Sequence, residues 1–195
     1  MRLITLIFLL GIAPFTNAQN FQSGFITGIS TSQVSGDVLG GFNKIGLQLG
    51  GFVNHPLGKN SKGQFGLYYI DKGSNDPKSL FQINLSYVES SYSFLYNYQG
   101  FSWEGGLLIA VLIDGKTYDI YGYENASESL FNQFDIGAKL AIGKELLPKL
   151  QMFWEITNTI PLFPIQEHPV YVSILNKGKM NAVLCFSFRY LLGNE

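Results

Sequence analysis

Residues 134–143 read FDIGAKLAIG, and large apolar side chains alternate there with small or charged ones. Successive side chains of a β-strand point to opposite sides. Phe134, Ile136 and Leu140 therefore share one face. Asp135 and Lys139 share the other. A tilted strand of about ten residues crosses a bilayer. The stretch predicts a transmembrane β-strand whose apolar face meets lipid.

The same alternation recurs along the chain, for example where Trp103 and Ile109 oppose Asp114. It predicts strands at residues 23–33, 44–55, 64–72, 80–92, 101–114, 131–143, 149–160 and 179–192. Bacterial outer-membrane barrels have an even number of strands, and closure leaves no unpaired strand edge in the lipid. The predicted fold is all-β, an eight-stranded antiparallel up-and-down transmembrane β-barrel.

The connections between these strands fit the same topology. Outer connections would span residues 34–43, 73–79, 115–130 and 161–178, and inner turns residues 56–63, 97–100 and 144–148. Outer-membrane barrels have longer extracellular loops than periplasmic turns. Only the last two outer connections are clearly longer than the inner turns. Both chain ends are expected on the periplasmic side.

The composition favours a protein that faces a medium less polar than water. Of the 195 residues, 14% are charged, 46% are hydrophobic and 15% are aromatic. A soluble domain has about 25% charged residues. The net charge of -1 also argues against a nucleic-acid-binding protein, which usually carries a basic surface.

The first residues have the features of an export signal. Arg2 precedes an apolar run from Leu3 to Ile12, and small residues precede a cleavage position after Ala18. The alternative is a membrane-anchoring helix, but the run is well short of the roughly 20 residues that span a bilayer. We expect residues 1–18 to be a cleaved signal peptide and residues 19–195 to be the outer-membrane β-barrel domain.

One predicted strand, at residues 80–92, has an ambiguous lipid face. Glu89 shares a face with Leu85 and Tyr87, so a carboxylate would meet lipid if that face were the outer one. Either a bulge near Ser90 and Ser91 re-aims the strand, or the opposite face meets lipid. The sequence leaves both alternatives open.

Ionisable side chains on the polar faces of the late strands are the main candidate site. Side chains fill the interior of an eight-stranded barrel, and an unpaired buried charge is very costly. We expect a structural ion-pair network inside the barrel, with a path for protons or ions as the alternative. The network comprises Glu104, Asp135, Lys139, Glu155 and Arg189.

Aromatic residues towards strand ends or on outer faces are expected to form girdles at the two membrane interfaces. A sugar-binding platform is the alternative. The residues are Trp103, Trp154, Tyr68, Tyr69, Tyr92, Tyr96, Phe186, Phe188 and Tyr190.

Few residues are candidates for catalysis or metal binding. Glu167, His168 and Ser173 are weak candidates for a lipid-modifying triad, which needs an orienting acid, a base and a nucleophile. The two histidines, His55 and His168, precede prolines and are expected to be ordinary loop residues. Because Cys185 is the only cysteine, neither a disulfide nor a two-cysteine metal motif can form within the chain. We expect no enzyme activity, no cofactor and no metal.

The last outer connection carries an unusual group of apolar residues between Leu162 and Leu175. Exposed apolar patches often bind a partner. The alternative is that the segment folds onto the barrel rim. The expected partners are outer-membrane lipid and, through this segment, other envelope proteins.

Several segments resemble the PorT-like outer-membrane β-barrel proteins of Bacteroidota. Four of them resemble that family's second, third, fourth and sixth strands, although Ser91 stands where the family's fourth strand continues into a proline. The resemblance implies an eight-stranded outer-membrane barrel and no particular activity. The segments are Phe42-Asn43-Lys44-Ile45-Gly46 with Gly51-Phe52-Val53-Asn54-His55-Pro56-Leu57, then Tyr69-Ile70-Asp71-Lys72-Gly73, Tyr87-Val88-Glu89 and Phe134-Asp135-Ile136-Gly137.

The leading functional hypothesis is a small non-enzymatic barrel in the outer membrane of a Gram-negative bacterium. It would be a structural protein or an accessory subunit of an envelope complex. The alternatives are a narrow pore for small solutes and a membrane-embedded lipid-modifying enzyme. The face assignment predicts that a charge added at Ile109 or Leu140 is costly, and that one added at Ser187, on the lumen side, costs much less.

Overall fold

The computed structural model describes residues 21–36, 40–125, 131–167 and 177–192. The proposed signal peptide lies outside these residues and stays a prediction. The described part of the chain has no helix with the length and hydropathy needed to cross a membrane. Its strands are β1 (Gln22–Ser35), β2 (Lys44–Pro56), β3 (Ser61–Asn75), β4 (Gln82–Tyr98), β5 (Phe101–Tyr118), β6 (Glu124–Asn125), β7 (Phe134–Leu147), β8 (Leu150–Thr159), β9 (Gln166–Glu167) and β10 (Gly178–Leu191).

The eight long strands form a closed antiparallel barrel. Their order is β1-β2-β3-β4-β5-β7-β8-β10, and β10 pairs back with β1, from Gly24 opposite Leu191 to Ser35 opposite Met180. The two-residue strands β6 and β9 pair with β5 and β10. Closure satisfies the backbone hydrogen bonds within the wall. The prediction of an eight-stranded antiparallel barrel is confirmed.

We call the end that holds Gln22 and Leu191 the inner end and the opposite one the outer end. All three inner turns are shorter than predicted and cover residues 57–60, 99–100 and 148–149. Gln99 and Gly100, with φ of 51° and 79°, join β4 to β5 in a two-residue hairpin that needs positive φ at both positions. Strand β4 therefore continues to Tyr98, six residues beyond its predicted end.

The structure resolves the ambiguous face of β4. Glu89 is 1% exposed and points inward with Leu85 and Tyr87, whereas Val88 is exposed on the outer wall. Of the two alternatives, the opposite face is therefore the outward one, and no bulge near Ser90 is needed. The register shift against β5 lies between Ser86 and Tyr87, not near Ser90 and Ser91.

That register shift corrects the predicted face of one acidic residue. Asp114 lies opposite Ser86, and Leu112 lies opposite Tyr87, so Ile113 is the extra residue of a bulge. A bulge reverses the alternation that follows it. Asp114, which the alternation placed inside with Glu104, is exposed on the outer wall instead.

The two faces of the barrel wall differ sharply. The inner face holds buried polar, charged and apolar side chains, with an apolar cluster around Ile70, Leu85 and Tyr87. The outer face exposes large apolar side chains to the surroundings, as the alternation predicted for most strands. They include Phe25, Ile29, Leu47, Leu49, Leu67, Leu107, Ile109, Leu140, Ile156 and Leu184.

Candidate functional site

Four ionisable side chains form one cluster in the inner half of the barrel, and we call them the inner quartet. Arg189 Nη2 lies 2.7 Å from Glu104 Oε2 and 3.0 Å from Glu155 Oε2. Lys139 Nζ lies 3.2 Å from Glu104 Oε1 and also contacts Glu155 Oε2. Two cations thus meet two carboxylates, and the formal charge of the cluster is zero.

The barrel pairing explains why these four residues meet. They come from the neighbouring strands β5, β7, β8 and β10, and each stands at an inward position of its strand. Glu104 and Glu155 both lie opposite Ala141, one from each neighbouring strand. A small residue between two glutamates leaves space for the long cations to reach both.

Arg189 is held by more than its carboxylates. Its Nη1 donates to Gln64 Oε1 at 2.8 Å, and its guanidinium carbon lies 3.6 Å from the ring centroid of Phe153. Gly143 makes room for this ring, since a Cβ there would lie 2.5 Å from Phe153 Cε1. Aromatic stacking and bidentate hydrogen bonding are what a buried arginine uses best.

Ser187 is on the interior face as expected, but it is not a roomy position. Its hydroxyl donates to Glu155 Oε1 at 2.8 Å, and the residue is 0% exposed. A longer charged side chain there would collide with the inner quartet. The prediction that an added charge costs much less here than on the outer wall required that the new charge find a partner, and the space for it is limited.

A second cluster, which we call the outer trio, lies in the outer half of the barrel. Lys72 Nζ is 2.8 Å from Glu89 Oε2 and 3.1 Å from Asp135 Oδ2. Asp135 also accepts hydrogen bonds from Thr159 Oγ1 at 2.7 Å and Asn181 Nδ2 at 2.9 Å. Of the five residues predicted to form one network, Asp135 thus belongs to this cluster and the other four to the inner quartet.

Tyr68 connects the two clusters. Its hydroxyl donates to Glu89 Oε1 at 2.6 Å, and its ring centroid lies 5.5 Å from Lys139 Nζ. Tyr68 is 2% exposed, so its predicted place in an aromatic girdle is wrong. Tyr68 points inward because Gln64 and Lys72, which are buried, lie an even number of residues from it in β3. Residues at such a spacing share one face of a strand.

Sequence reasoning missed Lys72, Glu89, Tyr68 and Asn181 as members of the site. A signal was present for Lys72, since it shares the face of Gln64, a polar residue in the same predicted strand. No face was assigned to that strand, because both of its faces carry large apolar or aromatic residues. Asn181 shares the inward face of Arg189, but its partner Asp135 is 46 residues away in the chain.

The other aromatic residues of the predicted girdles are exposed or half-buried on the outer wall. Their role at the membrane interfaces stays a prediction. Trp103, Trp154, Tyr69, Tyr92, Tyr96, Phe188 and Tyr190 are exposed, and Phe186 is half-buried. His55 joins them as a residue of β2, not of a loop, with Nε2 3.2 Å from the Tyr92 hydroxyl.

The outer connection after β8 is partly attached to the barrel and partly exposed. Ile165 is 0% exposed, its N–H donates to Lys179 O at 2.9 Å, and its carbonyl accepts from Asn132 N at 2.7 Å. Leu162 and Phe163 are 47% and 50% exposed. The rest of the apolar group, residues 170–175, lies outside the described residues.

The predicted triad cannot be placed as a unit. Glu167 is an exposed residue of β9 that pairs with Gly178. His168 and Ser173 lie outside the described residues.

The connection between β3 and β4 is closed by Asp76. Ser79 Oγ donates to its carboxylate at 2.6 Å, and the Lys78 N–H donates at 3.0 Å. These two hydrogen bonds lower the pKa of Asp76 below its usual value. The carboxylate of this turn therefore stays charged further into the acid range than that of a free aspartate.

No protein-family model matches the chain, and no curated protein matches it. Several solved structures match the chain. Ail, the attachment invasion locus protein of Yersinia pestis, in complex with the heparin analogue sucrose octasulfate, is 10% identical, with a TM-score of 0.52 over 88% of this chain and 99% of that chain. A second structure of Ail is 8% identical, with a TM-score of 0.50 over 88% of this chain and 98% of that chain.

Neisserial surface protein A is 10% identical, with a TM-score of 0.47 over 87% of this chain and 96% of that chain. At such low identity, the likeness to Ail shows the fold alone. This chain has the closed eight-stranded antiparallel fold of small outer-membrane β-barrel proteins.

Proposed function

We propose that this chain is a small, non-enzymatic β-barrel of a Gram-negative outer membrane that does not conduct solutes. Its role would be that of a structural protein or an accessory subunit of an envelope complex. One observation carries the proposal. The interior is filled by two ionic clusters whose seven members are each at most 4% exposed, while the outer wall is apolar.

The filled interior argues against the narrow pore. Large side chains fill the interior from the inner to the outer half. Arg189, which stacks on Phe153, comes first, and Tyr68 and Tyr87 follow. Each of these residues is at most 2% exposed. An eight-stranded barrel has an interior just wide enough for its side chains. A solute would have to break buried ion pairs to pass.

We expect the purified, folded protein to give no current steps in planar bilayers, even at high salt. The physical reason is that the buried clusters leave no continuous water path. A wide porin reconstituted in the same way is the control for successful insertion. Discrete steps that grow with salt concentration would instead support the pore.

An accessory subunit needs a surface at which its partner docks, and we assign that surface to Leu162 and Phe163. Leu162 and Phe163 project from a segment that Ile165 fixes to the barrel. An exposed apolar pair beside an anchored residue can enter a partner's pocket without a large ordering cost. Membership of the PorT-like family, which the sequence resemblance suggests, is also part of the proposal.

We expect the double variant Leu162→Asn, Phe163→Asn to lose the envelope protein that co-purifies with the native chain in mild detergent. The matched control is Leu80→Asn, because Leu80 is 63% exposed in a different outer connection. Mass spectrometry identifies the co-purified protein and its amount in each sample. Equal recovery from the native chain and the double variant would remove this docking position.

The lipid-modifying alternative gains no support from the described residues. Glu167 is a surface residue, and the arrangement of the other two candidates is not described. The proposal also includes export by a cleaved signal peptide at residues 1–18 and contact of the apolar outer wall with outer-membrane lipid.

A further inference from the structure

Among the described residues, the buried charged side chains comprise four carboxylates and three cations. The inner quartet is balanced, with two cations and two carboxylates. The outer trio has one ammonium, Lys72, for the carboxylates of Glu89 and Asp135. An uncompensated charge in a buried site costs several kilocalories per mole by general estimates. The surplus negative charge is thus assigned to the outer trio.

Asn181 adds an independent observation at the same place. Its Nδ2 lies 2.9 Å from Asp135 Oδ2 and 3.4 Å from the Tyr87 hydroxyl. Turning the amide over would put an oxygen against the carboxylate, so this orientation is the favourable one. The residue is 1% exposed, yet its Oδ1 has no hydrogen-bond partner among the described residues.

One further buried oxygen, Ser74 Oγ, has no hydrogen-bond partner in the described part of the chain. Glu89 Oε2 is paired with Lys72 Nζ at 2.8 Å. Ser74 follows Lys72 by two residues on the same inward face of β3, and it is 1% exposed. Buried polar atoms without partners are rare in proteins, and a bound ion often occupies the space beside them.

We propose that the outer trio, together with Asn181, binds one monovalent alkali cation, Na⁺ or K⁺. Carboxylate, amide and hydroxyl oxygens are the ligands of hard cations. One monovalent ion balances the surplus charge, whereas a divalent ion would reverse it. The proposal does not rest on the proposed function, because a closed barrel and a pore would carry the same surplus.

The groups that face this site come from several strands. Lys72 and Tyr68 come from β3, Tyr87 and Glu89 from β4, and Asp135 from β7. The neutral side chains of Thr159 and Asn181 come from β8 and β10. The charges of the inner quartet balance one another, and Lys179, two residues before Asn181 in β10, is half-buried at the outer end. The cation would therefore be held by Glu89, Asp135 and Asn181, with Lys72 as the other neutralising charge.

Unfolding by urea, a neutral denaturant, tests the proposal on the folded full-length barrel in a non-ionic detergent. The midpoint is measured in NaCl, in KCl and in choline chloride, at equal ionic strength and constant pH. We expect NaCl or KCl to raise the midpoint in a saturable way and choline, which is too large to enter, to have no such effect. The unfolding equilibrium should shift about tenfold when the ion is at nine times its Kd.

Two matched variants locate the effect. Glu89→Gln removes the surplus charge, so we expect the difference between alkali cations and choline to disappear. Glu104→Gln alters the inner quartet, so we expect it to keep that difference although its stability falls. Broadening of the ²³Na NMR signal by the native protein, reversed by K⁺, measures binding directly and does not depend on how either variant folds.

Several results would overturn the proposal. One is the same urea midpoint in choline and in both alkali salts. Another is an undiminished alkali effect in Glu89→Gln. A third is a midpoint that follows pH but not Na⁺ or K⁺, because a proton would then balance the surplus.

Discussion

Replacing Arg189 by methionine is expected to lower the free energy of unfolding by about 3–5 kcal/mol, the usual cost of removing one partner of a buried ion pair. Methionine keeps an apolar chain against Phe153 but supplies no charge. Glu104 and Glu155 would then share Lys139 alone, at positions no more than 4% exposed. The measurement is equilibrium unfolding in urea of the folded protein in detergent, followed by tryptophan fluorescence.

Two comparisons separate charge from packing. The double variant Arg189→Met, Glu104→Gln restores charge balance, so it should regain most of the lost stability. Lys59→Met removes an exposed cation from the turn between β2 and β3, and it should change stability by no more than about 0.5 kcal/mol. If the double variant were as unstable as the single one, packing on Phe153 would be the main contribution of Arg189.

The sequence predicted the wall correctly where the interior is polar or small. On β1, β2, β7, β8 and β10, inward residues such as Gly28, Gln48 and Glu155 alternate with outward residues such as Ile29 and Leu49. A period of two then identifies both the strand and its lipid face. Four of the five predicted ionic residues lie on these strands, and all five are buried.

The prediction was incomplete where the interior is apolar. In the outer half, Ile70, Ile83 and Leu85 point inward, so both faces of β3 and β4 carry large apolar residues. Alternation cannot distinguish the faces of such strands. The bulge at Ile113 adds a second difficulty, because one extra residue exchanges the faces after it and no residue type in β5 marks its place.

The ionic clusters also fix the strand register. A one-residue slip of β7 would move Asp135 and Lys139 from the interior to the apolar outer wall. Asp135 would then lose its contact with Lys72 on another strand. Lys139 would lose its contacts with Glu104 and Glu155. Buried charges thus penalise a one-residue slip much more than an apolar interior would. We expect specificity of register to be the advantage that these costly groups give to the barrel.

Replacing Leu140 by arginine should cost about 2–4 kcal/mol of folding stability, if the apolar outer wall meets the bilayer midplane. Leu140 lies in the middle of β7, is 67% exposed, and stands between Gly105 of β5 and Ile156 of β8. An exposed leucine of a water-facing surface would tolerate the change. In lipid, the guanidinium would have to reach the interface or draw water into the hydrocarbon region.

The matched control is Leu80→Arg, because Leu80 is equally exposed, at 63%, but lies in the outer connection before β4. Its penalty should be about 0–1 kcal/mol, as near the membrane interface. Both variants are compared with the native protein by reversible urea unfolding in lipid vesicles. Equal penalties would refute the assignment of the apolar face to lipid. A penalty at Leu140 that persists in a soluble, detergent-free preparation would mean that the wall is buried against protein instead.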